Sequence, residues 1–278
     1  MRKRGNVKPG LEQTRPPRLI VPDLAAHRGS SEEILLRNEE RDHVRTRRLR
    51  DGDDVIVLDG KGARARAQVA RRGAAVVLRS FEESPDLLSP FSSGFCSSLP
   101  GEPGLRVTVL LACAEPARVE WAVEKGTECG AAEFVLLDCE RSQRAHVAAL
   151  RARLPRLSRI ATEAVKQCDR TIVPAVVGPE EIGRILRREE RRGDAPLPIL
   201  LADLSGSPLS ETMSSPLVSS SPGRGLAIAI GPEGGFTPAE ISSFEEFGAR
   251  RVSLGPRILR LETAVVAALA VLVGDRGR

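Results

Sequence analysis

The sequence predicts an α/β protein in two parts: a small strand-rich N-terminal part and a larger C-terminal part built on a mainly parallel sheet. Three observations carry this. Short apolar alternations crowd residues 18–83, strands and helices alternate from residue 105 onward, and SPDLLSPFSSGFCSSLPGEPG (84–104) forms a Ser-, Pro- and Gly-rich stretch between them. Many short strands in little sequence imply a compact β-barrel. Alternating strands and helices imply a sheet covered on both faces. The 278 residues leave room for both. The boundaries are a basic tail at 1–17, a barrel at 18–83, a linker at 84–104 and the α/β part at 105–278.

Residues 1–17 are polar, proline-bearing and basic, and predict a disordered tail. Residues 1–18 hold six cations against the single carboxylate of Glu12, so the whole net charge of +5 lies there. A basic balance confined to a tail says little about nucleic acid; local clusters must carry that case. EERDHVRTRRLRDGD predicts a helical turn ending at Asp51-Gly52. It holds the densest basic stretch outside the tail: Arg41, Arg45, Arg47, Arg48 and Arg50. Solvated surface charge is the ordinary meaning of such a run, and phosphate contact is the alternative. His43, inside it, reads as a packing residue. DVIVLDGKGARARAQVA predicts two strands around an Asp59–Gly62 turn, and AAVVLRSF a third.

In the C-terminal part, LRVTVLLACA is a buried strand. EPARVEWAVEKGTECG is a helix with apolar Val119, Ala122 and Val123 and a glycine stop. AEFVLLDCE is a strand, and HVAALRARLPRLSRIATEAVKQC is helical but interrupted by Pro155. TIVPAV, PILLADL and GLAIAIG follow as strands, with a helix from about Pro179 between the first two. Residues 205–224 are a second Ser/Pro/Gly loop.

The longest late apolar run, Ala264 to Val273, is far short of the roughly 20 residues a membrane span needs. No apolar segment with a cleavage site follows the basic N-terminus. The expected setting is cytoplasmic, without membrane. Five cysteines with no C-x-x-C pair suit neither a closed disulfide set nor a zinc site; they read as small buried hydrophobes, and no metal is expected.

AIAIGPEGGFTPAEI (227–241) is the stretch with the most specific build. A strand breaks at Gly231-Pro232-Glu233-Gly234-Gly235, and a helix starts with Thr237 as N-cap, Pro238 at the first position and Glu240 completing a capping box. The loop fits no phosphate-binding signature: G-x-x-x-x-G-K-[ST] is absent, and so is G-x-G-x-x-G in its βαβ setting. Glu233 would repel a pyrophosphate. Close backbone approach to a neutral or positive ligand remains, alongside a plain tight connection. VSLGPRILRLETAVVAALAVLVG (252–274) repeats the design: a strand ends at Leu254-Gly255-Pro256, a loop carries Arg257 and Arg260, and a final helix begins. Two Gly-Pro loops at the carboxyl ends of consecutive strands would lie side by side, on the rim where open α/β sheets place ligands.

IGPEGGFTPAEI followed by LGPRILRLETA resembles the paired signature of the RsmE family, SPOUT-superfamily methyltransferases that act on N3 of a uridine in small-subunit (16S) ribosomal RNA. EKGTECG (124–130), ERS (140–142) and RLSRIATEAVKQCDRTIVP (156–174) extend the likeness, which runs from about Leu19 to Gly274. Departures are Leu19-Ile20 where aromatic residues are usual, Cys168 in place of serine, and Leu261 in place of threonine.

The resemblance implies a C-terminal trefoil-knot methyltransferase domain with a PUA-like N-terminal barrel, acting as a homodimer on ribosomal RNA or the assembled small subunit. It implies S-adenosylmethionine as cofactor, a sulfonium without phosphate, held by Leu201, Ala202, Gly231, Pro232, Glu233, Gly234, Leu254, Gly255, Ile258 and Leu259. Uridine N3 must lose a proton, and charge then collects on the uracil oxygens. Arg170 and Arg260 are the candidate stabilisers of that charge, RNA phosphate contact being their other reading. Glu233 or Glu262 is the candidate proton acceptor, and loop or helix-start anchoring the alternative. Arg41, Arg45, Arg47 and Arg48 are the candidate RNA contacts of the barrel. Another RNA site, a ribose hydroxyl, or a non-catalytic ribosome-assembly factor are the competing functions.

Overall fold

Two sheets, one on either side of the Ser/Pro/Gly stretch, organise the computed structural model of the chain, which describes residues 16–22, 24, 33–73, 75–83, 102, 104–191, 196–212 and 225–274. The expected tail (but for 16–17), most of the linker, Cys96 and residues 213–224 of the second loop lie outside the described residues.

The first sheet takes β1 (Arg18–Ile20), β2 (Ile34–Leu35), β3 (Asp54–Leu58), β4 (Arg64–Arg72) and β5 (Ala75–Glu83), with α1 (Asn38–Thr46) between β2 and β3. Its order is β1-β3-β4-β5-β2. β1 runs parallel to β3, and the other pairs are antiparallel. The sheet curls into a half-barrel whose two edge strands do not pair with each other. The β3–β4 turn forms where expected because Asp59 Oδ1 accepts from the backbone N–H of Lys61 (2.7 Å) and Ala63 (2.8 Å), while Gly60 takes φ +75°. Alternation along the strands puts Val55, Val57, Ala65, Ala67, Val69 and Leu78 into one small core with Leu19 and Val44.

The second sheet is wholly parallel: β6 (Val107–Ala112), β7 (Glu133–Asp138), β8 (Ala175–Glu181), β9 (Ile199–Pro208), β10 (Leu226–Ile230) and β11 (Arg250–Ser253), in the order β11-β9-β10-β6-β7-β8. Its helices are α2 (Pro116–Glu128), α3 (Arg144–Ala152), α4 (Leu154–Cys168), α5 (Ile182–Glu190), the short α6 (Leu209–Thr212), α7 (Pro238–Glu246) and α8 (Leu261–Val273). The main core gathers Val109, Leu111, Val119, Phe134, Leu136, Leu200, Ile228, Val265 and Leu269 between the sheet and its helices. No helix among the described residues is long and apolar enough to cross a membrane.

Three expectations need correction. The strand placed at 171–176 starts only at Ala175 and runs through Pro179, and its helix begins at Ile182. The amides of Thr171 and Ile172 donate to Glu102 Oε1 at 2.7 and 2.8 Å, and that of Val173 to Gly60 O at 2.8 Å, so this backbone is taken before a ladder can form. Pro179 is tolerated because β8 is an edge strand. The loop expected from residue 205 begins as strand, because β9 continues to Pro208 and is followed by α6. Finally, β10 and β11 are not neighbours: β9 lies between them.

The two sheets meet at a polar joint. Gly62 N donates to Thr171 O (3.2 Å), and Arg18 Nη1 to Lys166 O (2.9 Å) while also pairing with Asp169. Buried Lys166 places its ammonium 2.5 Å from Glu40 Oε1 and 3.0 Å from Glu163 Oε1. A buried cation is tolerable only when so paired.

Candidate functional site

The carboxyl ends of β9, β10 and β11 open into a crevice of about 370 Å³, within the size range of small-molecule sites. Its walls come from three local irregularities. The first lies in β9. Leu200 and Leu201 pair with Arg250 and Arg251, yet the next pairs are Ser207 with Val252 and Pro208 with Ser253, so residues 202–206 bulge out of the ladder. Ala202, Asp203 and Leu204 thereby line the crevice. Asp203 Oδ1 accepts from Ser205 N (2.8 Å) and Ser205 Oγ (2.5 Å), bonds that hold its carboxyl below the usual range. At Gly206 the chains pass so close that a Cβ would stand 2.4 Å from Val252 N; only glycine fits there.

The second wall is the loop after β10. Every residue of that strand is buried, and the chain then turns at Gly231–Gly235, closed by Gly235 N donating to Pro232 O at 2.8 Å. The capping box is present: Thr237 Oγ1 accepts from Glu240 N, and Glu240 Oε2 from Thr237 N. Glu240 Oε1 also accepts from Glu140 N at 2.8 Å, tying α7 to the turn after β7. Arg141 Nη1 donates to Gly234 O (2.5 Å). Arg118 Nη1, from the first turn of α2, contacts Glu233 Oε1. Phe236 lines the crevice and meets Phe244 edge-on at 5.4 Å.

The third wall is the loop after β11. Ser253 Oγ accepts from Gly255 N (3.2 Å), Gly255 takes φ +116°, and Arg257, Ile258 and Leu259 line this side before α8 contributes Leu261 and Ala264. Ile258 is 85% exposed.

Ala202, Gly231, Pro232, Glu233, Gly234, Leu254, Gly255, Ile258 and Leu259 therefore stand together around one space. Leu201 is fully buried in the core and does not line it. Arg260, the exposed N-cap of α8, sits between lining residues Leu259 and Leu261 without being one. Glu262 is in the first turn of α8, with one carboxyl oxygen buried and without a hydrogen-bond partner.

Arg170 is the main correction. It is 3% exposed, with Nη2 at 2.7 Å from Glu102 Oε2 and Nη1 donating to Thr127 O and Ala131 O. Every arm of the guanidinium faces a protein acceptor, so this side chain organises the segment before β8, and it is not among the residues lining the crevice. Glu102, expected as linker, is the other half of that buried pair.

Arg41 and Arg45 lie on α1 and Arg47 and Arg48 just after it, in the first half of the chain and away from the crevice lining. His43 packs at the joint, Nδ1 4.0 Å from Glu163 Oε2; burial, then the Lys166 ammonium, push its pKa below 6.5. Cys113 and Cys139 are buried, and burial raises both thiols, Cys113 to about 12. No cluster of three or more metal-binding side chains occurs among the described residues. Sequence reasoning missed Asp203 and Leu204, hidden by an unforeseen bulge, and Arg118. Arg141 had a faint signal in the ERS match.

A family model described as an RNA methyltransferase domain matches residues 101–273. The ribosomal RNA small subunit methyltransferase E of Synechocystis is 33% identical over 228 residues, 81% of this chain and 67% of that protein. Its counterpart in Bacillus subtilis is 29% identical over 235 residues, covering 82% and 84%. Among solved structures, the ribosomal RNA small subunit methyltransferase E of Neisseria gonorrhoeae, bound to S-adenosyl methionine, superposes with a TM-score of 0.75 at 23% identity, covering 93% of this chain and 97% of that one. Because the matched region takes in both glycine loops and the relatives align over most of their length, the chain belongs to the ribosomal RNA small subunit methyltransferase E family of RNA methyltransferases.

Proposed function

We propose that this chain methylates N3 of a uridine in small-subunit ribosomal RNA, with S-adenosylmethionine as the methyl donor. The observation that carries the reading is the crevice between the two glycine loops. Its walls are largely main chain and apolar side chains; among its charged lining residues two carboxylates, Asp203 and Glu233, stand against the one cation Arg257, a balance that opposes a phosphate and suits a sulfonium. A Cβ on Gly255 would meet no protein atom within 4 Å, which leaves its backbone open to a ligand. The residues present thus fit the donor.

Bound there, the donor supplies an electrophilic methyl carbon on sulfur. The loops 231–234 and 254–255, with Ala202, would hold it through main-chain N–H and C=O groups, and Ile258 and Leu259 would supply apolar cover. Rate then comes mainly from fixing the base and that carbon in near-attack geometry. Of the two candidate proton acceptors only Glu233 lines the crevice. Arg260, flanked by lining residues, donates to the uracil oxygens as charge collects on them. Arg41, Arg45, Arg47 and Arg48 contact RNA phosphates.

The test has two arms. S-adenosylhomocysteine should raise the melting temperature, because a ligand that binds only the native state stabilises it; no shift would leave a non-catalytic RNA-binding role. Mass mapping of small-subunit ribosomal RNA treated with the protein should place the methyl on uracil N3; a ribose methyl would overturn the assignment. Arg260→Ala should lower kcat with RNA affinity retained, whereas loss of RNA affinity with a flatter salt dependence would make it a phosphate contact.

We also propose a homodimer through α8. Beyond Glu262 and Thr263 this helix is apolar on every side, and such helices are covered, yet Val271 is 40% exposed and Trp121, on the α2 helix packed against it, is 44% exposed. Sedimentation should give twice the chain mass, and Val271→Arg should reduce it to one.

A further inference from the structure

We infer that Arg118 is a positioning residue for the first glycine loop, acting through Glu233; the inference rests on the crevice being the S-adenosylmethionine site. Arg118 stands 115 residues from Glu233 in sequence, on a different crossover. Its guanidinium is held on one edge by its own helix start, with Nε 3.3 Å from Glu115 Oε2, and its backbone N–H donates to Glu115 O at 2.9 Å. The other edge, through Nη1, meets Glu233 Oε1. The arginine side chain is 29% exposed and the glutamate 63%, so the cation is the better-seated member and the carboxylate the one that is held.

Glu233 occupies the middle of a turn closed by Gly235 N donating to Pro232 O. Fixing its carboxylate therefore fixes the Pro232–Gly235 main chain that lines the crevice. Arg141 acts on the next residue through the Gly234 carbonyl. Two arginines from two different crossovers thus hold one glycine-rich turn, which has little conformational preference of its own. Arg118 also decides where the negative charge of Glu233 sits relative to the sulfonium.

A double-mutant cycle on the full chain tests this, with S-adenosylhomocysteine binding measured by calorimetry and folding checked by thermal unfolding. Arg118→Ala should weaken binding about two- to fivefold, the scale of a partly exposed ion pair. Arg118→Lys should restore most of it. In a Glu233→Ala background the Arg118→Ala change should have no further effect, since coupled residues are non-additive. If the wild type binds and the two single effects multiply, Arg118 acts without Glu233 and the inference is overturned. An Arg118→Ala defect confined to RNA affinity and its salt slope overturns it too. A wild type that binds no S-adenosylhomocysteine overturns the crevice reading itself, and this inference with it.

Discussion

The two glycine-proline loops that face each other across the crevice are built in opposite ways. The first, Gly231–Gly235, is fastened at nearly every residue: by its own turn bond, by the capping box of α7, by the Glu140–Glu240 tie, and by Arg118 and Arg141. The second, Leu254–Leu259, has the Ser253 hydroxyl as its local support and leaves Ile258 largely in water. One wall is tied mainly by polar bonds, and the other by the Ser253 hydroxyl and by Leu254 and Leu259 packed against the main core.

The comparison can be broken or sharpened by substitution. The largest effect should come from Gly206→Val, which forces the β9 bulge off β11 and so removes the support both loops share. Overpacking of this kind should cost about 3 kcal/mol, seen as a lower urea midpoint, with loss of S-adenosylhomocysteine binding. Next, Glu240→Ala on the fastened side should cost about 1–2 kcal/mol, whereas Ser253→Ala on the loose side should cost less than about 1 kcal/mol. Equal costs would refute the contrast. Gly234→Val separates stability from binding: its new Cβ would lie 3.4 Å from Arg141 Cδ, an ordinary contact. The fold should stay within about 1 kcal/mol of wild type while calorimetric ligand binding disappears. Smallest of all, Ile258→Ala should leave the melting temperature unchanged and weaken the ligand about fivefold, on the order of 1 kcal/mol of lost apolar cover.

The legible and illegible parts of this site divide by distance along the chain. The capping box was readable because Thr237 and Glu240 are three residues apart, and the β3–β4 turn because Asp59 bonds amides two and four residues on. The strand ends at Gly231 and Gly255 announce themselves by composition. The β9 bulge did not, because it exists only in the register against β11, a strand some 50 residues later. Arg170 shows the same limit from the other side. A charged residue in a family-like motif says nothing of burial, and the carboxylate that claims it lies 68 residues upstream in a stretch that reads as linker. The Glu233–Arg118 contact, 115 residues apart, had no local trace.

The polar joint between the two sheets has a consequence for how the molecule could be cut. Its bonds, from Arg18, Glu40, His43, Gly60 and Gly62 to Glu163, Lys166, Asp169, Thr171 and Val173, all bridge the segment between residue 83 and residue 102 without using it. A protease nick in that segment should therefore leave two fragments that elute together. Among the described residues the halves are mated by these side chains and amides, so breaking the peptide bond alone should not release one from the other.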